Sequence, residues 1–192
     1  MECKGAHMKL LEQIVKRRAY RAFSPEPIDR QIQDTLLEAA VLAPSCANKQ
    51  PWRFLVLNDA AALDKARKAL TPGNYWAQKA PVLILALTKR DLDCALNDGR
   101  DYALFDTGMA VMNLQLQAVA EGLHVHPMAG FDPLMLKEEF GIGEEWTLIT
   151  VIAVAKPGPD ETLSDKHKEM EVSARDRKPV AEIASYNEWR ET

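Results

Sequence analysis

Apolar residues recur along the chain with two different periods, which distinguish helices from strands. Spacings of three and four positions predict helices, which cover about residues 8–18, 29–43, 59–70, 101–121 and 132–141. Short runs rich in aliphatic and β-branched residues predict strands, which cover residues 52–57, 82–87, 123–128 and 147–154. The run at 82–87 has no polar position, which is typical of a strand buried on both faces.

Capping residues stand at the ends that this pattern assigns to the helices. Asp29 and Asp59 each precede a helix, where a carboxylate accepts hydrogen bonds from the first free backbone N–H groups. Asp132 with the proline after it begins another helix, and Gly122 and Gly141 follow the last turns of two helices. Local chemistry and hydrophobic period therefore agree on where these helices begin and end.

Two segments carry patterns that a single chain does not explain. The helix predicted over 101–121 is apolar on more than one face, as expected of a central or an interface helix. After residues 156–159 the chain is polar and charged as far as Pro179, and only its last residues regain apolar side chains. Such a tail buries little against its own chain, so we expect it to extend across a partner subunit.

The composition is that of one globular domain. The chain has 192 residues, 47% of them hydrophobic and 27% charged, with a formal net charge of −4 and a pI near 5.6. A chain of this length buries roughly 70% of its unfolded surface, so its core needs no metal or disulfide. We assign residues 8–192 to a single domain and interpret residues 1–7 as a disordered cloning remnant.

The same composition argues against several classes of protein. The longest apolar run, at 81–87, is far shorter than the roughly 20 residues that cross a bilayer, and the N-terminus lacks the apolar core of a signal peptide. A mildly acidic chain is unlike nucleic-acid-binding domains, which are usually basic. Cys3, Cys46 and Cys94 have no metal-ligand spacing and fit free thiols. We therefore predict a cytoplasmic protein with no membrane or nucleic-acid partner.

Most catalytic patterns are absent from the sequence. No glycine-rich phosphate-binding loop is present. His124 and His126 would share one face of a predicted strand, but no cysteine or carboxylate nearby completes a metal site. We therefore expect no metal.

Four arginines offer a different chemistry. Arg17 and Arg21 lie near the end of the first predicted helix, and Arg175 and Arg177 lie in the late polar segment. If the fold brings them together, their guanidinium groups can bind an oxyanion through paired hydrogen bonds. Considered alone, they could equally be solvated charges that complement a helix dipole.

The segment from Ala43 to Phe54 decides between these interpretations. Its sequence, Ala-Pro-Ser-Cys-Ala-Asn-Lys-Gln-Pro-Trp-Arg-Phe, resembles the Ala-Pro-Ser-x-x-Asn-x-Gln-Pro-Trp segment of the nitroreductase family of FMN flavoproteins. Further segments resemble family motifs and fall in family order, namely Arg17–Arg21, Gly73–Tyr75, Gly122–Leu123, Pro127–Asp132 and Arg175–Pro179. The resemblance covers almost the whole chain.

The resemblance implies a fold, an assembly and a cofactor. The fold would be α+β, with a central mixed β-sheet flanked by helices. Two chains would form an intertwined homodimer that exchanges C-terminal arms, with two FMN sites at the interface.

The resemblance also implies the residues that would contact FMN. Those near the phosphate would be Arg17, Arg18, Ala19, Arg175 and Arg177, whereas Arg21 would lie nearer the pyrimidine edge of the ring, where a cation stabilises the negative charge of reduced flavin. Asn74 would face the polar edge of the ring, and the loop at the N5 region would comprise Pro127, Met128, Ala129 and Gly130. The other subunit would contribute Pro44, Ser45, Cys46 and Asn48.

Two departures from the family pattern concern the flavin site. Ala19 replaces the usual serine and removes one hydroxyl contact to phosphate. Ala77 stands where the family often has lysine, and Lys79 could substitute only if the local helix is shifted. His126 is a candidate substrate or ribityl contact, whereas Asp106 could touch flavin or the partner's loop or be a paired core carboxylate.

The family mechanism predicts that NADH or NADPH passes a hydride to flavin N5 and leaves, after which a nitroaromatic, quinone or similar conjugated acceptor is reduced. The segment 88–99, which governs acceptor choice in the family, is short and polar, so we expect an open pocket. The deiodinase branch and the flavin-fragmenting branch of the family find weak support in these residues.

Ala19 and Ala77 keep open an alternative, a flavin carrier or redox sensor without efficient turnover. A basic nucleic-acid-binding protein, which would be colourless, is a third hypothesis.

Overall fold

The structure, a computed structural model, describes residues 9–191 and contains six α-helices there. The helices are α1 (Glu12–Lys16), α2 (Arg30–Val41), α3 (Ala60–Lys68), α4 (Tyr102–Ala120), α5 (Pro133–Phe140) and α6 (Asp165–Val172). Short 3₁₀ segments occupy Cys46–Asn48, Pro72–Lys79, Arg90–Leu92 and Val180–Glu182. The interpretation of residues 1–7 as a cloning remnant lies outside the described residues.

The strands form a four-stranded sheet in the order β1-β2-β4-β3. They are β1 (Arg53–Leu57), β2 (Val82–Thr88), β3 (His124–Met128) and β4 (Thr147–Ala155). Every neighbouring pair in the described sheet is antiparallel, so the prediction of a mixed sheet is wrong for this part of the chain. The helical crossover through α4 does make β2 and β3 run the same way, but β4 lies between them and pairs with both.

Strand β2 separates two hydrophobic cores. Its side chains alternate, with Leu83 and Leu85 in the core beneath α3 and α5 and with Val82 and Ile84 in the core beneath α2 and α4. All seven residues of the strand are buried. The prediction of a strand buried on both faces is therefore confirmed, and the fold has three layers.

The predicted helix caps are present. Asp29 accepts from the N–H of Gln31 at 2.8 Å, and Asp59 accepts from that of Ala62 at 2.9 Å. Asp132 accepts from two N–H groups of the first turn of α5. Caps of this kind typically contribute about 1 kcal/mol each to stability.

Both ends of the described chain depart from the sequence pattern. The helix predicted over 8–18 is shortened to α1, which buries no residue, because Leu10 and Leu11 before it find no core and remain 68% and 66% exposed. Conversely, α6 forms inside the stretch predicted to be merely polar. It contains no buried residue, so hydrophobic periodicity could not have found it.

Apolar side chains remain exposed on the long helix and the tail. On α4, Leu104, Phe105 and Met112 are each more than two-fifths exposed. From Val172 to Glu191 every residue is exposed, including Trp189 at 86%. Among the described residues, no helix combines the length and apolar character that crossing a membrane would require.

Candidate functional site

One cavity of about 270 Å³ gathers basic residues from two distant segments. Its lining includes Arg17, Arg18, Ala19 and Arg21, which follow α1, and Arg175 and Arg177, which follow α6. Arg175 donates to the carbonyls of Val15 at 2.8 Å and Arg17 at 2.9 Å, which fixes the late segment against the end of α1. The fold thus brings together the five residues predicted at the phosphate end of a flavin and Arg21, predicted nearer the edge of the ring.

Positive charge predominates in this arginine cavity, whose lining holds five arginines and one acidic residue, Asp176. Within residues 9–191, none of its arginines forms a salt bridge with a carboxylate. Burial lowers the pKa of Arg17, and repulsion from Arg175 and Arg177 lowers this pKa further. Since arginine stays protonated nonetheless, a bound anion would relieve the repulsion.

Helix α6 is held against the segment after α1 by Glu171, a residue that the sequence pattern did not single out. The carboxylate of Glu171 accepts from the backbone N–H of Arg21 at 3.0 Å and of Ala22 at 3.2 Å. At the other end of α6, the N–H of Ser164 donates to the hydroxyl of Tyr75 at 2.8 Å. The only local signal for this helix is Ser164, whose hydroxyl caps the first turn.

Asn74 and the loop before α5 also meet. The carbonyl of Gly130 accepts from the amide Nδ2 of Asn74 at 2.7 Å and from the backbone and hydroxyl of Thr71, both at 3.0 Å. Pro127 and Met128 end β3 next to this loop, and the Met128 carbonyl accepts from a threonine hydroxyl of β4. One Asn74 donor is therefore already engaged within the chain.

His126 joins the arginine cavity to the sheet. Its Nδ1 donates to the carbonyl of Tyr20 at 3.0 Å, and its ring packs against Trp76 with centroids 4.3 Å apart. The Cζ atom of Arg21 lies 5.8 Å from the centre of the same Trp76 ring. Burial lowers the pKa of His126 to about 4, and the positive charges of Arg21 and Arg17 contribute in the same direction. His126 is therefore neutral near pH 7.

The loop after α2 lies at a different cavity. Pro44, Ser45 and Cys46 line a space of about 460 Å³ together with residues of α4 and of the segment before it. That lining shares no residue with the arginine cavity. Asn48 is exposed with a positive φ of 56°. Within one chain, these four predicted contacts and the arginines are not brought together.

A family model described as the nitroreductase family matches residues 14–74 and 66–156. These matches cover most of the chain and include the first arginine motif, the loop after α2 and all four strands. The chain belongs to the nitroreductase family.

Similar proteins share this architecture over most of their length. A crystal structure of an oxidoreductase containing FMN superposes with a TM-score of 0.86 at 27% identity and covers 97% of this chain and 96% of that one. An NADH dehydrogenase of Thermus thermophilus is 25% identical over 176 residues, 76% of this chain and 85% of that protein. A 5,6-dimethylbenzimidazole synthase of Rhodospirillum rubrum is 25% identical over 173 residues, with 78% and 82% covered.

One expectation about this nitroreductase-family chain is wrong. Cys46 and Cys94 are not free thiols in the structure but form a disulfide, with Cα atoms 6.2 Å apart. They are 48 positions apart in the chain, so their spacing gave no hint of it. The pairing of β1 with β2, in which Arg53 faces Leu87, places the segments flanking the two strands side by side.

Asp106 lies beneath this disulfide. Its side chain is fully buried, and its Oδ2 accepts from the N–H of Cys46 at 2.7 Å. Burial raises the pKa of Asp106, and the neighbouring Asp93 raises it further. Of the two roles considered for Asp106, the structure supports the buried carboxylate that holds the loop of its own chain.

The two departures from the family pattern have clear structural settings. Ala19 lines the arginine cavity without a hydroxyl. Ala77 is fully buried in the core beneath α3 and α5, whereas Lys79 lines a separate cavity with Arg30 and Arg67. Lys79 therefore does not replace the missing lysine.

Proposed function

We propose that this chain is an FMN-dependent oxidoreductase that takes electrons from NADH or NADPH and reduces a nitroaromatic, quinone or similar conjugated acceptor. The observation that carries the proposal is the arginine cavity, which the fold assembles from two segments at opposite ends of the chain. Membership of the nitroreductase family and the likeness to an FMN-containing oxidoreductase support it.

The donor set of the cavity fits the phosphate of FMN. A phosphate monoester carries close to two negative charges near pH 7, and arginine binds it through paired hydrogen bonds. Arg17 and Arg177 have no carboxylate partner in the described chain. Because Arg175 already donates to backbone carbonyls, we assign it to holding the cavity together and assign charge pairing mainly to the other two.

The residues on the ring side have free groups of the right kind. Asn74 uses one amide hydrogen for Gly130, which leaves its second amide hydrogen and its carbonyl for the polar edge of a flavin ring. The carbonyls of Met128 and Gly130 already accept hydrogen bonds. The contact of this loop with flavin N5 would therefore use backbone N–H groups.

Bound FMN would supply the redox chemistry, accepting a hydride from the nicotinamide and passing electrons to the acceptor. The chain's own part is to bind, orient and shield it. The short segment after β2 folds only into the 3₁₀ turn Arg90–Leu92, which supports the expectation of an open pocket that admits varied acceptors.

We also propose the homodimer with exchanged C-terminal arms. Its support is the apolar surface left uncovered by one chain, including Phe105 on α4 and Ile183, Tyr186 and Trp189 in the tail. Large apolar side chains concentrated on one helix and one tail, and exposed in the single chain, are expected where another chain covers them. In such a dimer the loop of Pro44 to Asn48 would reach the arginine cavity of the other subunit.

Arg177→Ala tests the assignment of the cavity. We expect it to weaken FMN binding by about 1.5–3 kcal/mol, the value of a charge-assisted hydrogen bond, as measured by fluorescence titration of the apoprotein. Lys178→Ala is the matched control, because Lys178 is exposed and does not line the cavity. Equal FMN affinities for the two variants would refute the assignment.

Anaerobic stopped-flow mixing with NADH and with NADPH separates enzyme from carrier. Rapid bleaching of the flavin, followed by reoxidation with a quinone or nitroaromatic, is expected of the enzyme. Flavin that stays oxidised for many seconds would favour the carrier, for which the alanines at positions 19 and 77 are the specific support. Irreversible loss of the flavin would instead favour the flavin-fragmenting branch of the family.

Removal of residues 180–192 tests the arm exchange while keeping Arg175 and Arg177. We expect the truncated chain to dissociate at concentrations where the full chain is dimeric, measured by sedimentation velocity. A truncated chain that stays dimeric with unchanged flavin affinity would contradict the exchange.

A further inference from the structure

A cluster of sulfur and carboxylate groups lies away from the arginine cavity. Sγ of Cys46, Sγ of Cys94 and a carboxylate oxygen of Asp93 all lie within 4.8 Å of one another. Asp106 joins them from α4 through its hydrogen bond from the N–H of Cys46. Three separate segments, namely the loop after α2, the segment after β2 and α4, thus converge on one point.

Neither acid of this cluster forms a salt bridge within residues 9–191, and Arg100, which lines the same cavity as Asp106, pairs with Asp98. Asp106 is fully buried and Asp93 is 8% exposed. Oδ1 of Asp106 and Oδ2 of Asp93 accept no hydrogen bond from another donor of the described chain, and the two carboxyl groups lie close enough to share a proton. A buried carboxylate in this setting calls for a cation or a proton.

The kinds of ligand select the kind of cation. Thiolates favour a thiophilic ion such as Zn²⁺, which also accepts carboxylate oxygen as a ligand, whereas magnesium and calcium prefer oxygen alone. A disulfide has no thiolate to offer, so the cluster can act in this way only after the bond between Cys46 and Cys94 is reduced. Around a tetrahedral ion the two sulfurs would lie about 3.8 Å apart, which side-chain rotation allows at a Cα separation of 6.2 Å.

We propose that reduction of the disulfide converts this cluster into a binding site for a thiophilic divalent cation such as Zn²⁺, with Cys46, Cys94 and Asp93 as ligands. A dithiol reductant supplies two electrons and two protons, its own sulfurs form a disulfide, and the Cys46–Cys94 bond becomes two thiols. The cation then displaces both thiol protons. Cys46 and Asp106 line the cavity of about 460 Å³, from which a water could occupy the fourth position.

This site bears on the loop that carries Pro44, Ser45 and Asn48. The disulfide in the oxidised state and the cation in the reduced state would each tie the loop to the segment after β2. Only the reduced, metal-free chain would lack a covalent or metal-mediated link between the loop and the segment after β2. The inference rests on the described residues alone and not on flavin chemistry, so the two proposals fail independently.

Cobalt titration tests the site. The flavin-loaded protein carrying Cys3→Ser, which removes the third cysteine, is reduced anaerobically with a phosphine, freed of reductant and titrated with Co²⁺ and then Zn²⁺. We expect one equivalent of Co²⁺ per chain, a thiolate charge-transfer band, tetrahedral bands in the red, and displacement by Zn²⁺. The oxidised protein should show none of these.

Variants identify the ligands. Cys94→Ser and Asp93→Asn should weaken binding at least about tenfold, whereas Asp91→Asn, which changes an exposed acid on the same segment, should leave it unchanged. A second measurement uses reduced protein that retains Asp93, Cys46 and Cys94, so that no variant can fail to fold. There, Zn²⁺ should protect both thiols from reaction with a maleimide. Absence of the charge-transfer band after reduction, thiols that Zn²⁺ does not protect, or equal binding by oxidised and reduced protein would each overturn the proposal.

Discussion

Acidification should destabilise this protein through His126. The side chain is 8% exposed, and burial lowers its pKa from the usual 6.5 to about 4. In the unfolded chain the imidazole takes up a proton near pH 6.5, whereas in the folded chain it does so only near pH 4. Stability from this residue is therefore fully present at neutral pH and is lost as the pH falls through this window.

The size of the effect follows from the width of the window. A fall in pKa from 6.5 to about 4, at about 1.36 kcal/mol for each pH unit, gives about 3 kcal/mol at full effect. About 2 kcal/mol of it should be lost between about pH 7.5 and about pH 5. The cause is structural, because Nδ1 donates to the Tyr20 carbonyl, the ring is packed against Trp76, and Arg21 and Arg17 repel a second proton.

Urea denaturation at the two pH values measures this loss, at fixed protein and FMN concentration because both affect apparent stability. His126→Asn keeps a donor towards Tyr20 but cannot titrate, so it should remove about 2 kcal/mol of the pH dependence. His124→Asn and His167→Asn measure the contributions of two other histidines, because burial lowers the pKa of each of them as well. An imidazole resonance of His126 that titrates near pH 6.5, or a pH dependence in His126→Asn as large as that of the unsubstituted protein, would refute the reasoning.

Three further substitutions address the scaffold of the site. Gly130→Ala would place a methyl group 2.5 Å from the Thr71 hydroxyl and 2.7 Å from Nδ2 of Asn74. Because both side chains must then move, FMN binding should weaken by about 1–3 kcal/mol, measured by flavin fluorescence. Glu171→Gln should detach α6 from the N-terminal segment and lower the free energy of unfolding by about 1–2 kcal/mol, with faster proteolysis within 165–172 as a second readout. Asp132→Ala should cost about 1 kcal/mol in urea denaturation without changing FMN affinity, and a change in affinity would link α5 to the site.

The elements with strong local signals could be predicted from the sequence. The capped helices α2, α3 and α5 and the strand β2 begin and end within a few residues of the predicted positions, because capping and burial act between neighbours in the chain. Helix α6 could not be found this way. It is held by Glu171 and by the Tyr75 hydroxyl, and these contacts join residues that lie far apart in sequence.

The candidate site divides in the same way. Motif spacing was enough to name the arginines, since their chemistry is evident from the residue type. The disulfide between Cys46 and Cys94 and the burial of Ala77 depend on which strands pair and which face a turn presents. A single sequence shows neither which strands pair nor which side of a turn faces the core.

The loop after α2 carries the most specific family motif, yet it does not line the arginine cavity of its own chain. Ala47, Asn48 and Gln50 have positive φ values, and non-glycine residues in this region cost roughly 1 kcal/mol each. The cost is tolerated because the loop is over-determined by the disulfide, by the Asp106 carboxylate on the N–H of Cys46, and by the Ser45 hydroxyl on the N–H of Gln50. A loop fixed in this way loses little further entropy when it meets another surface. Its rigidity therefore suits a contact made across a subunit interface.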